Sequence, residues 1–185
     1  KQAKLVLEDA RNLLKNNVEE LLLCAKSRLI DRSNPNRFRE ACIIRERAIQ
    51  VAKGCLSGEE SAYLIYKYAR FLDKNNRFEK ALDFYNEAIE LYLSLPENKY
   101  LQTFHLDFIN LLPPSPNLSL IARSFNLVGN LYNRSGQYQD AEASYQKALL
   151  LYTVLSNHYP ESDYDHYIFL VKSNLSVLYY QNNKK

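Results

Sequence analysis

The sequence predicts an all-α protein built from antiparallel helix hairpins, and three observations lead to this prediction. The 185 residues include 4 glycines and 6 prolines, too few for the many turns of a β-sandwich or β-barrel. Apolar residues recur at intervals of three and four along most of the chain, which is the spacing of amphipathic helices. Residues 61–93 and 120–152 share one pattern of small and aromatic residues, which indicates a repeat architecture.

The shared pattern places small residues where two paired helices would cross. Helix axes only ~8–10 Å apart leave no room there for bulky side chains, and aromatic rings fill the gaps beside the crossing. The residues of the first copy are Ala69, Phe78, Ala81, Tyr85 and Ala88, and those of the second copy are Gly129, Tyr138, Ala141, Tyr145 and Ala148. Each copy is therefore predicted to be one helical hairpin.

A turn is predicted in the middle of each copy, at Asn75-Asn76 and at Ser135-Gly136. Asn and Gly tolerate the left-handed backbone conformation that ends a helix sharply. The predicted buried stripes of the first helices are Ile65, Tyr68, Ala69 and Leu72, then Phe125, Val128, Gly129 and Tyr132. The predicted stripe of the second helix of the first copy is Phe78, Ala81, Leu82, Tyr85, Ala88 and Ile89.

These residues resemble the tetratricopeptide repeat, a thirty-four-residue unit of two antiparallel helices. The resemblance implies that the hairpins stack as a right-handed α-solenoid. Equivalent positions are 40 residues apart from Ala41 to Ala81, 60 from Ala81 to Ala141, and 47 from Gly129 to Ser176. The longer units are similar to the extended repeats of kinesin light chains and of large bacterial tetratricopeptide proteins.

We expect residues 1–185 to form a single helical domain. Its predicted parts are an N-terminal helix (1–17), a degenerate repeat (18–56), a repeat (61–95), a helical insertion with a Pro-rich loop (97–117), a second repeat (118–157) and the first helix of a truncated repeat (160–185). In the insertion, Tyr100, Phe104, Phe108 and Leu111 would share one helical face. Since the chain contains no methionine, we expect it to be a piece of a longer protein with further repeats.

Composition argues against two classes of partner. The net charge is only +3, and Lys and Arg alternate with Asp and Glu, so we expect no nucleic-acid partner. No run of about eighteen apolar residues occurs, so we expect no membrane span. Three cysteines (Cys24, Cys42 and Cys55) form no metal-binding or Cys-x-x-Cys motif, and we interpret them as buried apolar residues of a cytoplasmic protein.

Catalytic motifs are missing from the sequence. It has no Gly-x-Ser-x-Gly elbow, no phosphate-binding loop and no His-Glu-x-x-His, so we predict that the protein is not an enzyme and takes no cofactor. One cluster invites a metal hypothesis, namely His158, Glu161, Asp163, Asp165 and His166. We favour the alternative, a solvated connection in which Ser162 or Asp163 caps the following helix, and predict no metal site.

The resemblance implies a binding face, because first helices line the concave surface of such repeats and their non-packing positions contact the ligand. Carried over to this sequence, the predicted peptide-binding residues are Tyr63, Tyr66, Arg70, Lys74, Arg123, Asn126, Asn130, Asn133 and Arg134. We expect Tyr66, Arg70, Asn126 and Asn130 to be accessible while Ala69, Phe125 and Gly129 are buried. The predicted partner is another protein or a peptide, held by a non-enzymatic scaffold module.

Two further possibilities concern the partner. A clamp for chaperone termini does not fit, because Tyr66, Arg70 and Leu127 replace the Lys and the two Asn of that clamp. A ligand-sensing regulatory domain of a larger ATPase, kinase or transcription regulator remains the alternative function. We also predict that Leu175, Leu178 and Tyr179 expose apolar surface at the C-terminal end, which would favour either self-association or fraying of that end.

Overall fold

The computed structural model describes residues 12, 13, 15–19, 21, 22, 35–103 and 114–182, and every regular element within them is helical. The α-helices are α1 (Pro35–Cys55), α2 (Gly58–Lys74), α3 (Phe78–Ser94), α4 (Leu118–Arg134), α5 (Tyr138–His158) and α6 (Tyr164–Asn182), and a 3-10 helix spans Pro96–Thr103. The all-α prediction is therefore confirmed. None of these helices is long and apolar enough to cross a membrane.

The chain divides into two compact units, residues 1–68 and residues 69–185. The described core of the first unit is a cluster of Val18, Ala48 and Ala52, with Leu64 and other partly buried residues packed against it. Tyr68 donates a hydrogen bond from its hydroxyl to Glu46 Oε1 over 2.6 Å. Ala41, the equivalent of Ala81 in the degenerate repeat, is fully buried, and so is Ala48.

The second unit is built by helices that pack in sequence order. α3 packs against α4, α4 against α5, and α5 against α6, while α4 also touches α6. Its largest fully buried side chains are Leu72, Tyr85, Tyr92, Leu101, Leu118, Ile121, Tyr145, Leu151 and Leu155. Aromatic rings thus fill much of the space between the helices, as the sequence pattern predicts.

Both predicted turns are present and have the predicted backbone geometry. Asn76 has a φ of 58° and Gly136 a φ of 77°, so each occupies the left-handed region. The backbone N–H of Arg77 then donates to the carbonyl of Leu72, and that of Gln137 to Tyr132, closing each helix end. The two turns therefore have the same backbone geometry at equivalent positions.

The crossing of α4 and α5 depends on the missing side chain of Gly129. A methyl group at that position would lie 2.6 Å from both Cδ1 and Cε1 of Tyr145. The ring of Tyr145 is almost fully buried, and its hydroxyl donates to Asn130 Oδ1 over 2.7 Å. The ring is therefore held against the backbone of α4 on one side and by a hydrogen bond at its tip.

The structure corrects several predicted core positions. Phe78 is exposed rather than buried, because it is the first residue of α3. The guanidinium of Arg134 lies over its ring, 5.0 Å from the centroid. Tyr132 and Tyr138 are half-buried, and Tyr179 is exposed with its hydroxyl donating to Glu142. These rings lie at the borders of the packed stripe, where one edge remains in water.

The predicted insertion is only partly described. Residues 96–103 form a 3-10 helix in place of the expected α-helix, and Leu101 within it is fully buried. Asn98 helps to fix this segment, since its side-chain nitrogen donates to the carbonyl of Tyr92 over 2.8 Å. Phe104, Phe108 and Leu111 lie outside the described residues, as do Cys24 and most of the predicted helix 1–17.

The exposed side of α6 also differs from the prediction. Leu175 and Leu178 are buried, because they lie on the side of α6 that packs against the preceding helices. Of the three residues predicted to be exposed there, only Tyr179 is. The apolar residues on the open side of α6 are instead Phe169, Leu170, Val177 and Tyr180, with Phe169 70% and Tyr180 63% exposed.

Candidate peptide-binding face of α4

Five of the predicted binding residues lie on α4, and the structure gives them different roles. Arg123, Asn130 and Arg134 fall on one side of the helix, since steps of seven and four residues return to nearly the same direction. Asn126 and Asn133 lie further round the helix, on a second line also seven residues apart. The first line is the more accessible one, with Arg134 exposed and Arg123 and Asn130 half-buried.

Asn126 is buried, contrary to prediction, with only 6% of its surface accessible. Its Oδ1 accepts a hydrogen bond from Asn174 Nδ2 of α6 over 3.0 Å. A buried amide needs such a partner, because an unpaired polar group away from water costs free energy. Asn126 therefore connects α4 to α6 and is a structural residue.

The other two asparagines of α4 present different groups. Asn130 uses its Oδ1 to accept from the Tyr145 hydroxyl, and its amide nitrogen makes no hydrogen bond within the described part of the chain. Asn133 is half-buried, and its Oδ1 is shielded from water without a hydrogen-bond partner among the described residues. Of these two asparagines, Asn130 is therefore the one that offers an amide donor on the accessible side of the helix.

Arg134 is already engaged within the second unit. Its Nη1 donates to Asp73 Oδ1 over 3.4 Å, and its guanidinium covers the ring of Phe78. The Arg134 side chain is 58% exposed, so this ion pair is well solvated and weak. A ligand carboxylate at Arg134 would therefore compete with Asp73 for the same guanidinium.

Four predicted binding residues lie on α2, and one of them is buried. Tyr66 is only 2% exposed, because it shares a helical stripe with the buried residues Ala62 and Ala69, four before and three after it. Tyr63 is exposed, stacks on Tyr66 at 6.5 Å and carries the ammonium of Lys67 4.9 Å above its ring. Arg70 is half-buried and Lys74 is exposed.

A cavity of about 390 Å³ lies beside Arg123, between the start of α4, the end of α5 and the start of α6. Three tyrosines form one wall, and the rings of Tyr152 and Tyr167 are stacked at 5.1 Å with an angle of 11° between their planes. Tyr164 is tilted against both rings at 6.5 Å. Sequence reasoning missed this site, although Tyr164 and Tyr167 are one helical turn apart and so share a side of α6.

The acidic and histidine cluster between α5 and α6 is spread over exposed residues. Within the described ranges, no three His, Cys, Asp or Glu side chains converge closely enough to hold a metal ion. Asp165 instead accepts a hydrogen bond from Ser156 Oγ over 2.8 Å, which links the end of α5 to the start of α6. Asp163 and His166 belong to the lining of the cavity.

Burial changes the acid–base behaviour of the tyrosines at these crossings. Removal from water raises the pKa of Tyr145 to about 12, although the nearby charge of Arg134 lowers it slightly. Burial and the hydrogen bond to Glu46 likewise raise the pKa of Tyr68. Both hydroxyls therefore stay protonated at neutral pH and act as hydrogen-bond donors.

Comparison with known proteins agrees with this geometry. A tetratricopeptide-repeat family model matches residues 62–94 and residues 122–153. The chain carries two tetratricopeptide repeats. Such repeats generally mediate interactions between proteins and are typically not catalytic. A search of curated proteins found no match to this sequence. The similarity to the extended repeats of kinesin light chains stays a prediction.

Replacing Asn126 and Asn133 separately by alanine distinguishes an asparagine that connects two helices from one that does not. We expect Asn126→Ala to lower the free energy of unfolding by ~1–2 kcal/mol, because it leaves the amide of Asn174 without its partner. Asn133→Ala removes a side chain whose shielded oxygen has no hydrogen-bond partner among the described residues, and we expect a change within about 0.5 kcal/mol. Urea denaturation measures both, and equal losses would contradict the assignment.

Proposed function

We propose that this chain is a non-enzymatic module that binds an extended segment of another protein along the accessible side of α4. The observation that carries the proposal is a pair of free donors on that side. Arg123 makes no hydrogen bond or ion pair within the described residues, and the amide nitrogen of Asn130 makes none either. Their neighbours Asn126, Gly129 and Arg134 are all engaged by contacts within the second unit.

The spacing of the two donors suits an extended peptide. Arg123 and Asn130 are seven residues apart, which is ~10 Å along a helix that rises 1.5 Å per residue. An extended chain advances ~3.3 Å per residue, so groups three residues apart in a peptide would meet both donors. The Asn130 amide can donate to a peptide carbonyl of any sequence, whereas the charge of Arg123 selects among side chains.

Selection from a library of random twelve-residue peptides tests this proposal. We expect the intact chain to enrich peptides from the library. The Arg123→Ala variant should bind these peptides with roughly tenfold or more lower affinity, since interface arginines are frequent anchors. Asn130→Asp removes the amide donor while retaining an oxygen that accepts from Tyr145, and we expect it to weaken binding too. Lys172→Ala removes an exposed cation of α6 and serves as the control.

The outcomes are distinct. Weaker binding in the two α4 variants, with a melting temperature close to that of the parent chain, supports the proposal. Failure to enrich any peptide, or enriched peptides that bind all variants equally, would contradict it. A fall in melting temperature to match the fall in affinity would mean that these side chains are structural.

A second proposal concerns self-association and rests on the open side of α6. Phe169, Leu170, Val177 and Tyr180 expose an apolar stripe there. We propose that a second copy of the chain covers it in an antiparallel, two-fold arrangement. That symmetry would place Phe169 of one copy opposite Tyr180 of the other, with the small residues Ser173 and Ser176 near the crossing, where they permit close approach.

Sedimentation equilibrium tests this second proposal. We expect the parent chain to dimerise and Phe169→Lys to be monomeric at the same concentration, because a charge inside an apolar interface has no partner. Ile43→Lys makes the same change at a residue of α1 that is 58% exposed and should leave the dimer intact. A monomeric parent chain would contradict the proposal.

A ligand-sensing regulatory role in a larger ATPase, kinase or transcription regulator stays the alternative. A nucleotide-binding or DNA-binding motif elsewhere in the same polypeptide would favour it. The cytoplasmic location also stays a prediction, which fractionation of cells that express the protein would test.

A further inference from the structure

We infer that the cavity beside Arg123 receives the carboxylate of an Asp or Glu side chain from the bound peptide, with the Arg123 guanidinium as its partner. This inference rests on the proposed function and adds the chemistry of the ligand. It concerns the cavity enclosed by α4, α5 and α6, which the family pattern did not assign to binding.

The cavity is large enough for a side chain with part of its backbone. Its volume of about 390 Å³ lies at the lower end of the ~300–1,000 Å³ typical of ligand pockets. The stacked rings of Tyr152 and Tyr167 form a flat apolar surface along one wall. The methylene groups of a Glu side chain can pack on such a surface while its carboxylate reaches a polar group.

Arg123 is the group best suited to hold that carboxylate. Its side chain is half-buried and has no hydrogen bond or ion pair within the described residues. A guanidinium presents N–H donors in a planar fork that matches a carboxylate in two parallel hydrogen bonds. Because Arg123 is partly withdrawn from water, a ligand that completes this fork replaces fewer water contacts than it would at an exposed arginine.

Asp163 repels the same ligand, because it is a second charged residue of the cavity lining. It lines the cavity but is exposed, so solvent screens its charge more than that of the half-buried Arg123. Attraction to Arg123 therefore outweighs repulsion from Asp163 for a singly charged carboxylate.

The position of the cavity favours a side chain within the peptide over its C-terminus. Arg123 borders the cavity, and the free amide of Asn130 lies two helical turns further along the same side of α4. A peptide that reaches both residues continues past the cavity in the direction of Asn130. The group that enters the cavity is then a side chain, and the acidic residue and the backbone carbonyl bound by Asn130 are about three residues apart.

Charge substitutions with opposite expected effects test the inference. The probes are the peptides enriched from the random library, each compared with a copy in which its acidic residue is changed to the corresponding amide. We expect Arg123→Gln to lower the affinity for the acidic peptide roughly tenfold or more. The affinity for the amide copy should stay nearly unchanged. Asp163→Asn should raise the affinity for the acidic peptide about two- to fivefold, and Lys172→Gln should leave that affinity unaltered.

Each outcome discriminates between the inference and the function on which it rests. Enriched peptides without an acidic residue, or an equal loss for the acidic and amide copies in Arg123→Gln, would overturn the inference while the binding function stands. Weaker binding in Asp163→Asn would also overturn it, because the ligand would then place a cation in the cavity. If blocking the peptide C-terminus alone abolishes binding, the carboxylate is terminal and the inference is wrong. If no peptide binds, both proposals fail.

Discussion

Gly129→Ala is expected to lower the free energy of unfolding by ~1–3 kcal/mol, although the change adds only one methyl group. Alanine normally stabilises a helix relative to glycine, by about 1 kcal/mol. Here the added Cβ would lie 2.6 Å from two carbons of the Tyr145 ring, a distance that the packed crossing cannot accept. The ring must move, and its hydrogen bond to Asn130 is strained as it does so.

The same substitution at Gly54 provides the control. Gly54 lies in α1, where an added Cβ would meet nothing within 4 Å. We expect Gly54→Ala to be neutral or to stabilise by up to ~1 kcal/mol, because it restricts the unfolded chain without a clash. Urea denaturation of both variants gives the comparison. Equal and favourable effects would show that α4 and α5 do not cross at Gly129.

Tyr145→Ala is expected to cost ~3–5 kcal/mol, the largest effect of a single substitution predicted for this chain. The ring is almost fully buried at the crossing, so its loss leaves a cavity that the rigid hairpin cannot close. Tyr145→Phe keeps the ring and removes only the hydroxyl that donates to Asn130, for an expected loss of ~1 kcal/mol. In a Tyr145→Ala background, Gly129→Ala should no longer destabilise, because the atoms that it meets are gone.

The same tyrosine gives a dependence on pH whose sign follows from its pKa. Burial raises the pKa of Tyr145 from its usual value of 10.0 to about 12 in the folded chain. The unfolded chain therefore releases this proton first as the pH rises. Its contribution to stability is complete below pH 10 and is lost as the pH approaches 12. Tyr145→Phe lacks this loss, so the stability difference between the two proteins should narrow over that interval.

Local sequence was sufficient to predict the hairpins. Gly129 is small because the ring of Tyr145 on the partner helix leaves no space, and buried small residues recur at the equivalent positions of the pattern. The turns at Asn76 and Gly136 were predictable for the same reason, since few residues accept a positive φ. Packing between neighbouring helices restricts the size of residues at fixed intervals, so any sequence with the same fold shows a periodic pattern of this kind.

The face and the cavity were harder to predict, because they depend on partners that are distant in sequence. Asn126 occupies a position where the family binds ligand, but Asn174 lies opposite it on α6 and donates a hydrogen bond to its amide oxygen. The cavity combines Arg123 with Tyr152 and Tyr167 from two other helices. Tyr66 is different, because its spacing from Ala62 and Ala69 places it on the buried stripe and was readable from the sequence.

The most direct test of the binding face is an NMR titration of the intact chain with an acidic peptide enriched from the library. We expect the side-chain Nε–H signal of Arg123 and the amide signals of Asn130 to shift on binding, together with the ring signals of Tyr152 and Tyr167. The side-chain amide of Asn126, buried against Asn174, should shift little. Shifts confined to the open side of α6, or to Asn126 with Arg123 unchanged, would contradict the account.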